Sequence, residues 1–173
     1  MKKYAIPFFL LGSLVMIYVM AKTGAPLKTP ATPNGILNLE FAYNTTRTDI
    51  VTGAWSVTDP VDLIAAAKFN TGLDFIFIFF YSIFLFLASK KMSKLFGGGF
   101  GKSGKIIARG ALLAGFLDVL ENTGMLITLS GHGSGTISFM TSTCSIIKWI
   151  LAIMAVLYVL TGTVALLRRR LKN

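Results

Sequence analysis

The sequence predicts an all-α integral membrane protein, a transmembrane four-helix bundle with a small helical extracytoplasmic cap between its first and second spans. The first indication is composition: 54% of the 173 residues are apolar and 14% are charged, whereas about a quarter of a soluble domain is charged. The second is a series of apolar runs that could cross a bilayer as helices. The third is the clustering of lysines and arginines at alternate ends of successive runs, as the positive-inside rule predicts.

The formal net charge of +10 does not indicate a nucleic-acid partner, because the basic residues follow the predicted topology. They cluster at Lys2 and Lys3, in residues 90–109, and in residues 168–172. This distribution predicts an inner (plasma) membrane protein whose N- and C-termini are both cytoplasmic. The expected surroundings are the lipid bilayer, and either a homo-oligomer or a larger membrane complex is compatible with the sequence.

The whole chain, residues 1–173, is predicted to form a single integral membrane domain, because a chain of this length is too short for two domains of ordinary size. The spans are predicted at about residues 5–21, 70–89, 106–129 and 138–167. The first run also has the features of a cleaved signal peptide, although the presence of Met1 favours a retained span.

The predicted cap comprises residues 22–69. Its prolines make residues 22–34 an extended linker, and two short amphipathic helices are expected after it, on the outer mouth of the bundle. Ile50, Val51, Ala54 and Trp55 form the apolar stripe of the second of these helices. Trp55 is expected at interfacial depth, where tryptophan is common.

The helix that contains the second span is predicted to begin with Asp59 as N-cap and Pro60 in its first turn, and to end near Ser89. Residues 90–105 contain five lysines and several glycines, so they predict a flexible cytoplasmic loop beside anionic headgroups. In the third span, the small residues Ala108, Ala111 and Gly115 lie on one side of the helix. They permit close contact with a neighbouring helix.

The third span also carries a polar face in the middle of an apolar run. Asp118, Glu121, Asn122 and Met125 are spaced i, i+3, i+4 and i+7, so they share one side of a helix. A charged group at the centre of a bilayer costs a few kcal/mol even on lenient insertion scales. This face is therefore expected to contact other protein or a cavity.

The partner of this polar face is expected on the fourth span. Lys148 is the only base within an apolar run, and Asp74 is the acid of the second span. Counted from the basic inner ends, Asp74, Asp118 and Glu121 lie about 20–24 Å deep and Lys148 about 30 Å deep. The Lys148 amine is thus predicted within salt-bridge reach of Glu121 or Asp118, with Glu121 preferred. Asn122 is expected to add a hydrogen bond, and Asp74 to close the other side.

Two interpretations of this cluster remain open. It could be a buried ion-pair network that fixes helix register. It could also line an outward-facing pocket for a small or amphipathic ligand, such as a lipid headgroup, because its carboxylates outnumber its one base. The expected pocket residues are Asp74, Asp118, Glu121, Asn122 and Lys148, with Glu40 as a lid acid and Trp55 at the mouth.

Other classes of function are also compatible with these residues. A membrane-embedded enzyme would use Asp118 or Glu121 as general acid/base, and an ion or proton pathway or an accessory subunit of a larger complex would use the same cluster. No cofactor and no metal are predicted. The chain has a single histidine, His132, and a single cysteine, Cys144, which do not form a zinc ligand set. Neither a catalytic residue nor the identity of the ligand follows from the sequence.

The order of these short motifs resembles a family of small, uncharacterised bacterial four-span integral membrane proteins. The resemblance rests on residues 39–42, Trp55, residues 73–75 with Tyr81, residues 118–122 and Lys148. It covers nearly the whole chain from Gly35 onward. It implies a topology and a set of site residues, and it implies no activity.

Overall fold

The structure is a computed structural model that describes residues 4–56 and 61–171. Within these ranges the chain is all-α, with four long apolar helices that are compatible with a helical bundle. The six α-helices are α1 (Ala5–Thr23), α2 (Ile36–Glu40), α3 (Thr45–Ser56), α4 (Leu63–Leu95), α5 (Gly98–Ile127) and α6 (Gly135–Leu171).

Within the described residues, four stretches are long and apolar enough to cross a membrane, namely Ala5–Thr23, Leu63–Leu95, Gly98–His132 and Gly135–Arg169. They suggest a multi-pass membrane protein, and their number equals that of the spans predicted from the sequence. Large apolar side chains on the outer surface, including Phe79, Phe116 and Leu157, are more than half exposed. Surfaces of this kind suit contact with lipid tails.

The long helices do not pack equally. α5 lies between α4 and α6 and contacts both along its length, while α1 packs extensively only against α4 among the described elements. The predicted small side, Ala108, Ala111 and Gly115, is buried in this packing, which confirms its role in close helix contact. α4, α5 and α6 therefore form the compact part of the fold, and α1 is attached to one side of it.

The attachment of α1 has a polar end and an aromatic end. At its C-terminal end, Asn70 Nδ2 donates to Met20 O (3.1 Å) and to Thr23 Oγ1 (2.7 Å). Near its N-terminal end, Phe8 and Phe9 pack in tilted and edge-to-face arrangements on Phe79 and Phe80 of α4, with ring centroids 5.7–6.1 Å apart across the two helices.

The connection between α1 and α4 contains a 3₁₀ turn at Ala25–Leu27 followed by α2 and α3, so the two predicted short helices are present. Their apolar side chains join the start of α4 and the end of α5 in one core cluster; its buried members are Leu27, Leu39, Val51, Trp55, Leu63, Ala67, Met125 and Leu129. The predicted stripe on α3 is wrong at Ile50, which is 57% exposed; Thr48 takes the inward position instead.

The start of α4 differs from the prediction. Asp59 and Pro60 lie outside the described residues, and the helix begins at Leu63 with Asp62 as its N-cap. Asp62 Oδ1 accepts a hydrogen bond from Ala65 N at 2.9 Å, which satisfies one of the free amide groups of the first turn. The helix continues to Leu95, six residues beyond the predicted end near Ser89.

The prediction of a flexible loop at residues 90–105 is wrong. α4 ends at Leu95 and α5 begins at Gly98, so most of this stretch is helical. The glycines permit close packing here: a Cβ on Gly101 would collide with Phe96 O, and one on Gly104 would collide with the Tyr158 hydroxyl. Ser93 Oγ also donates to Gly101 O at 2.6 Å, which fastens the two helices directly beside the turn.

The turn between α5 and α6 is short. α5 passes into a single π-helical turn at Thr128–His132, and Gly131 within it has a φ of 84°. That left-handed conformation suits glycine and ends the helix. α6 then begins at Gly135, slightly ahead of the fourth span predicted at about residues 138–167.

Candidate functional site

The predicted polar face of α5 is entirely buried. Asp118, Glu121, Asn122 and Met125 are each at most 3% exposed. They point toward α4 and α6, because helical periodicity puts positions i, i+3, i+4 and i+7 on the side that faces both neighbours. The prediction that this face contacts other protein is confirmed.

Lys148 of α6 is the centre of the charged cluster. Its Nζ lies 2.6 Å from Asp118 Oδ1, 2.9 Å from Glu121 Oε1 and 3.6 Å from Glu40 Oε2. The predicted pairing of Lys148 with the acids of α5 is therefore confirmed, although the nearer oxygen belongs to Asp118 and not to the preferred Glu121. Depth counting cannot resolve that choice, since one helical turn is about 5 Å and the lysine side chain is flexible.

Glu40 reaches this cluster from α2. It is 6% exposed, and besides its ion pair with Lys148 its Oε2 accepts from Ser145 Oγ and from Trp149 Nε1, both at 3.3 Å. The structure thus places Glu40 in the cluster itself. Ser145 lies three residues before Lys148 on α6, and Trp149 lies four residues after Ser145. This helical spacing could have indicated both residues.

Tyr81 of α4 was named in the family resemblance but was not among the expected pocket residues, and the structure places it in the site. Its hydroxyl donates to Asp118 Oδ2 at 2.7 Å, while Lys148 holds Oδ1 of the same carboxylate. Tyr81 is seven residues after Asp74 and therefore on the same face of α4. That spacing was the available signal.

Asp74 differs from the other three carboxylates. Its Oδ2 accepts one hydrogen bond from Asn122 Nδ2 at 2.8 Å, and in the described part of the chain it forms no ion pair. Asn122 thus donates to Asp74, and Asp74 is tied to the cluster through this amide. The side chain of Asp74 is 9% exposed.

The structure does not bring Trp55 to the site. Trp55 is 1% exposed and lies in the core cluster with Leu27 and Leu39, where its Nε1 donates to Leu27 O (3.1 Å) and Thr32 Oγ1 (3.2 Å). The indole is enclosed by α2, α3 and the 3₁₀ turn rather than exposed at the mouth of the cavity, and its interfacial depth stays a prediction. Trp55 anchors the connection between α1 and α4.

A cavity of about 470 Å³ adjoins the charged cluster. Leu14 and Ile17 of α1 and Trp149 and Val156 of α6 line it and are also exposed by 41–54%. Since α1 does not pack extensively on α6, the cavity opens sideways between these two helices. Its wall also includes Glu40, Asn70, Thr71, Asp74, Phe77, Tyr81, Phe84, Leu85, Asp118, Asn122 and Lys148.

The wall of the cavity is divided along its length. Toward the C-terminal end of α1 it carries the charged cluster together with Asn70 and Thr71, and toward the other end it is formed by side chains such as Phe84, Leu85 and Val156. Glu121 is fully buried and is not part of the wall. The predicted pocket residues Asp74, Asp118, Asn122, Lys148 and Glu40 are part of it.

Among the residues that the structure describes, no group of three or more His, Cys, Asp or Glu side chains is arranged to hold a metal ion. Comparison of the chain with known protein families, curated proteins and solved structures gives no match. The resemblance to a family of four-span membrane proteins therefore stays a prediction.

Proposed function

We propose that this protein is an integral membrane protein that binds an amphipathic ligand in the cavity between α1 and α6. The observation that carries the proposal is the division of one cavity into a charged end and an apolar end. A ligand with a polar group and a hydrocarbon portion matches this division, because each part is then buried against groups of its own kind.

The dimensions of the cavity suit a lipid-like molecule. Its wall follows α4 from Asn70 to Leu85, about 22 Å at the helical rise. Polar groups extend from Asn70 to the Tyr81 hydroxyl, which donates to Asp118, and aromatic and aliphatic side chains such as Phe84 and Leu85 occupy the remainder. A volume of about 470 Å³ is within the usual range for small-molecule sites.

The proposed topology follows the charge distribution. Lys90, Lys94, Lys102 and Arg168 lie at one end of the long helices, and in the inner membrane that end faces the cytoplasm by the positive-inside rule. α2 and α3 then form the extracytoplasmic cap. The polar end of the cavity lies in the outer half of the bilayer, and its side opening gives access from the lipid rather than from the outer water.

A catalytic role for Asp118 or Glu121 has less support from the geometry. Both oxygens of Asp118 are already hydrogen-bonded, to Lys148 and Tyr81, and Glu121 does not reach the cavity. A general acid or base must come within hydrogen-bond reach of the reacting atom. Binding therefore remains the preferred function.

The ligand site is tested by the fluorescence of Trp149, which lines the cavity, against that of Trp55, which does not. The protein in lipid nanodiscs is titrated with a brominated single-chain amphiphile. We expect saturable quenching that an unbrominated amphiphile reverses. The chain has two tryptophans, so the Trp149→Phe variant, which keeps only Trp55, should show no saturable quenching.

Two neighbouring positions on α6 provide a matched pair of variants. Ala152 lines the cavity, whereas Ile153 is 51% exposed and does not. Ala152→Phe should abolish the saturable quenching and Ile153→Phe should preserve it. Quenching that rises linearly with amphiphile concentration in both variants would reflect partition into the bilayer and would refute the proposed site.

The topology is tested by labelling single cysteines with a membrane-impermeant maleimide in a Cys144→Ser background. Ser103 and Thr46 are both exposed and lie at opposite ends of the molecule. We expect Thr46→Cys to react in intact cells and Ser103→Cys to react only after permeabilisation. The reverse pattern would invert the proposed orientation.

A further inference from the structure

We propose that the polar group of the ligand is an organic cation, such as an ammonium, and that Asp74 is its counter-ion. This inference rests on the proposed function and specifies the chemical class of the ligand. It starts from the distribution of charge around the cavity.

The base of the cluster already has its partners. Lys148 Nζ lies within 4 Å of three carboxylates, those of Glu40, Asp118 and Glu121. Lys148 donates hydrogen bonds to Asp118 and Glu121 and forms an ion pair with Glu40, so its single positive charge is already outnumbered by these three carboxylates. An anionic ligand would meet this excess of negative charge, and like charges close together in a medium of low dielectric repel strongly.

Asp74 is the carboxylate that lacks a cation. Asp74 is 9% exposed and forms part of the cavity wall. In the described ranges, Oδ2 is its only hydrogen-bonded oxygen. A carboxylate that is removed from water without a counter-charge is costly. A cation in the cavity supplies that charge and contacts the free Oδ1.

The surroundings of Asp74 are rich in acceptors. In the described part of the chain, Asn70 Oδ1, Thr71 Oγ1 and Asn122 Oδ1 are buried without a hydrogen-bond partner, and all three residues belong to the cavity wall. Asn70 and Thr71 lie one turn before Asp74 on the same face of α4. These oxygens are closed to the cavity, so they add partial negative charge beneath its surface, and this charge favours a cation. An ammonium has several protons to donate and no lone pair, so it matches the Asp74 carboxylate in this setting.

A bare metal ion fits this position less well. In the described part of the chain, no group of three or more His, Cys, Asp or Glu side chains is arranged to hold a metal ion, and hard cations in proteins take six or more oxygen ligands. The aromatic side chains Phe77 and Tyr81 in the same wall favour an organic cation over a hydrated one. The occupant we infer is thus an amine-bearing amphiphile.

The test compares ligands that differ only in their polar group. Dodecylamine, dodecanol and dodecanoate compete with the brominated probe for the wild-type protein in nanodiscs at neutral pH, where the amine is protonated. We expect dodecylamine to bind about tenfold or more tightly than dodecanol, as expected for a desolvated charge pair, and dodecanoate to bind most weakly.

The Asp74→Asn variant should abolish the preference for the amine over the alcohol, and its unfolding transition in detergent, compared with that of the wild type, shows that the variant is folded. Asp74→Glu should restore the preference in part, and exposed Asp49→Asn should retain it in full. Equal binding of amine and alcohol by the wild type, or displacement of the amine by millimolar Na⁺ or Mg²⁺ alone, would overturn the inference. Failure of every amphiphile to compete would instead refute the proposed function.

Discussion

Asp118 and Asp74 are both buried carboxylates in the middle of long helices, yet their surroundings are opposite. Asp118 is bound by Lys148 and Tyr81, one on each oxygen, and it lies where α4, α5 and α6 pack together. Asp74 has one amide donor and borders a cavity. The difference teaches that buried charge by itself does not identify a binding site; the distinguishing feature is whether the protein already supplies its partner.

The same contrast extends to the helices around the two acids. α4, α5 and α6 approach closely through small residues, and the acids of their charged cluster have their partners within the protein, although Asp118 and Lys148 also line the cavity. α1 contacts α4 through phenylalanines and leaves its other side open toward α6. Variants should therefore separate into those that damage the compact part and those that affect only the cavity.

Lys148→Met should have the largest effect on stability, a loss of about 3–5 kcal/mol, because it leaves three carboxylates buried without their base. Thermal or denaturant unfolding in detergent measures it. Exposed Lys102→Met is the matched control and should change stability by less than about 0.5 kcal/mol. In a Glu121→Gln background the cost of Lys148→Met should be smaller. Equal losses for the two lysines would contradict a buried network.

Asp118→Asn should cost about 2–3 kcal/mol, since it weakens charge-assisted hydrogen bonds while Glu40 and Glu121 continue to hold Lys148. A double-mutant cycle with Tyr81→Phe should give a coupling energy of at least about 0.5 kcal/mol. Strict additivity of the two changes would mean that the Tyr81–Asp118 hydrogen bond does not stabilise the packing of α4 against α5.

Gly104→Ala should destabilise by about 1–3 kcal/mol, because the new methyl group would overlap the Tyr158 hydroxyl and force the helices apart. Gly97→Ala is its control: a Cβ at Gly97 meets no atom within 4 Å. A neutral result for Gly104→Ala would show that this end of the helices tolerates separation and is not tightly packed.

Asp74→Asn should have the smallest effect on unfolding, within about 1 kcal/mol in either direction, because no base is stranded and Asn122 can still donate to the new carbonyl. The same unfolding assay used for Asp118→Asn gives the comparison directly. A loss as large as that of Asp118→Asn would place Asp74 within the structural network and remove the distinction between the two acids.

Sequence reasoning located the charged cluster because charges at membrane depth have few alternatives to pairing. The positions of Asp74, Asp118, Glu121 and Lys148 on three helices were enough to predict their convergence. Glu40 was harder to assign, since its helix α2 has five residues and its orientation depends on contacts with α5 and α6. A short helix has no periodicity that would reveal its buried side.

The errors have physical causes that local patterns do not contain. Residues 90–105 have the composition of a loop, but the gain from packing Gly101 and Gly104 against neighbouring atoms outweighs the low helix propensity of glycine. Trp55 has the amphipathic character of an interfacial residue, and the acceptors at Leu27 and Thr32 draw its indole into the core. The side opening depends on where α1 docks, which its uniformly apolar sequence does not specify.

The order of the charged residues along the chain has a consequence for biosynthesis in the proposed membrane setting. α5 carries Asp118 and Glu121 and is made before α6, which carries Lys148. The bases of α5, Lys102, Lys105 and Arg109, lie near its start. The newly made α5 thus reaches the translocon with two acids in its apolar part and no base at their depth, a costly state in hydrocarbon. Stable insertion of α5 should depend on the arrival of α6, so that these two helices enter the bilayer as a pair. α1 should already lie in the bilayer when α4 arrives.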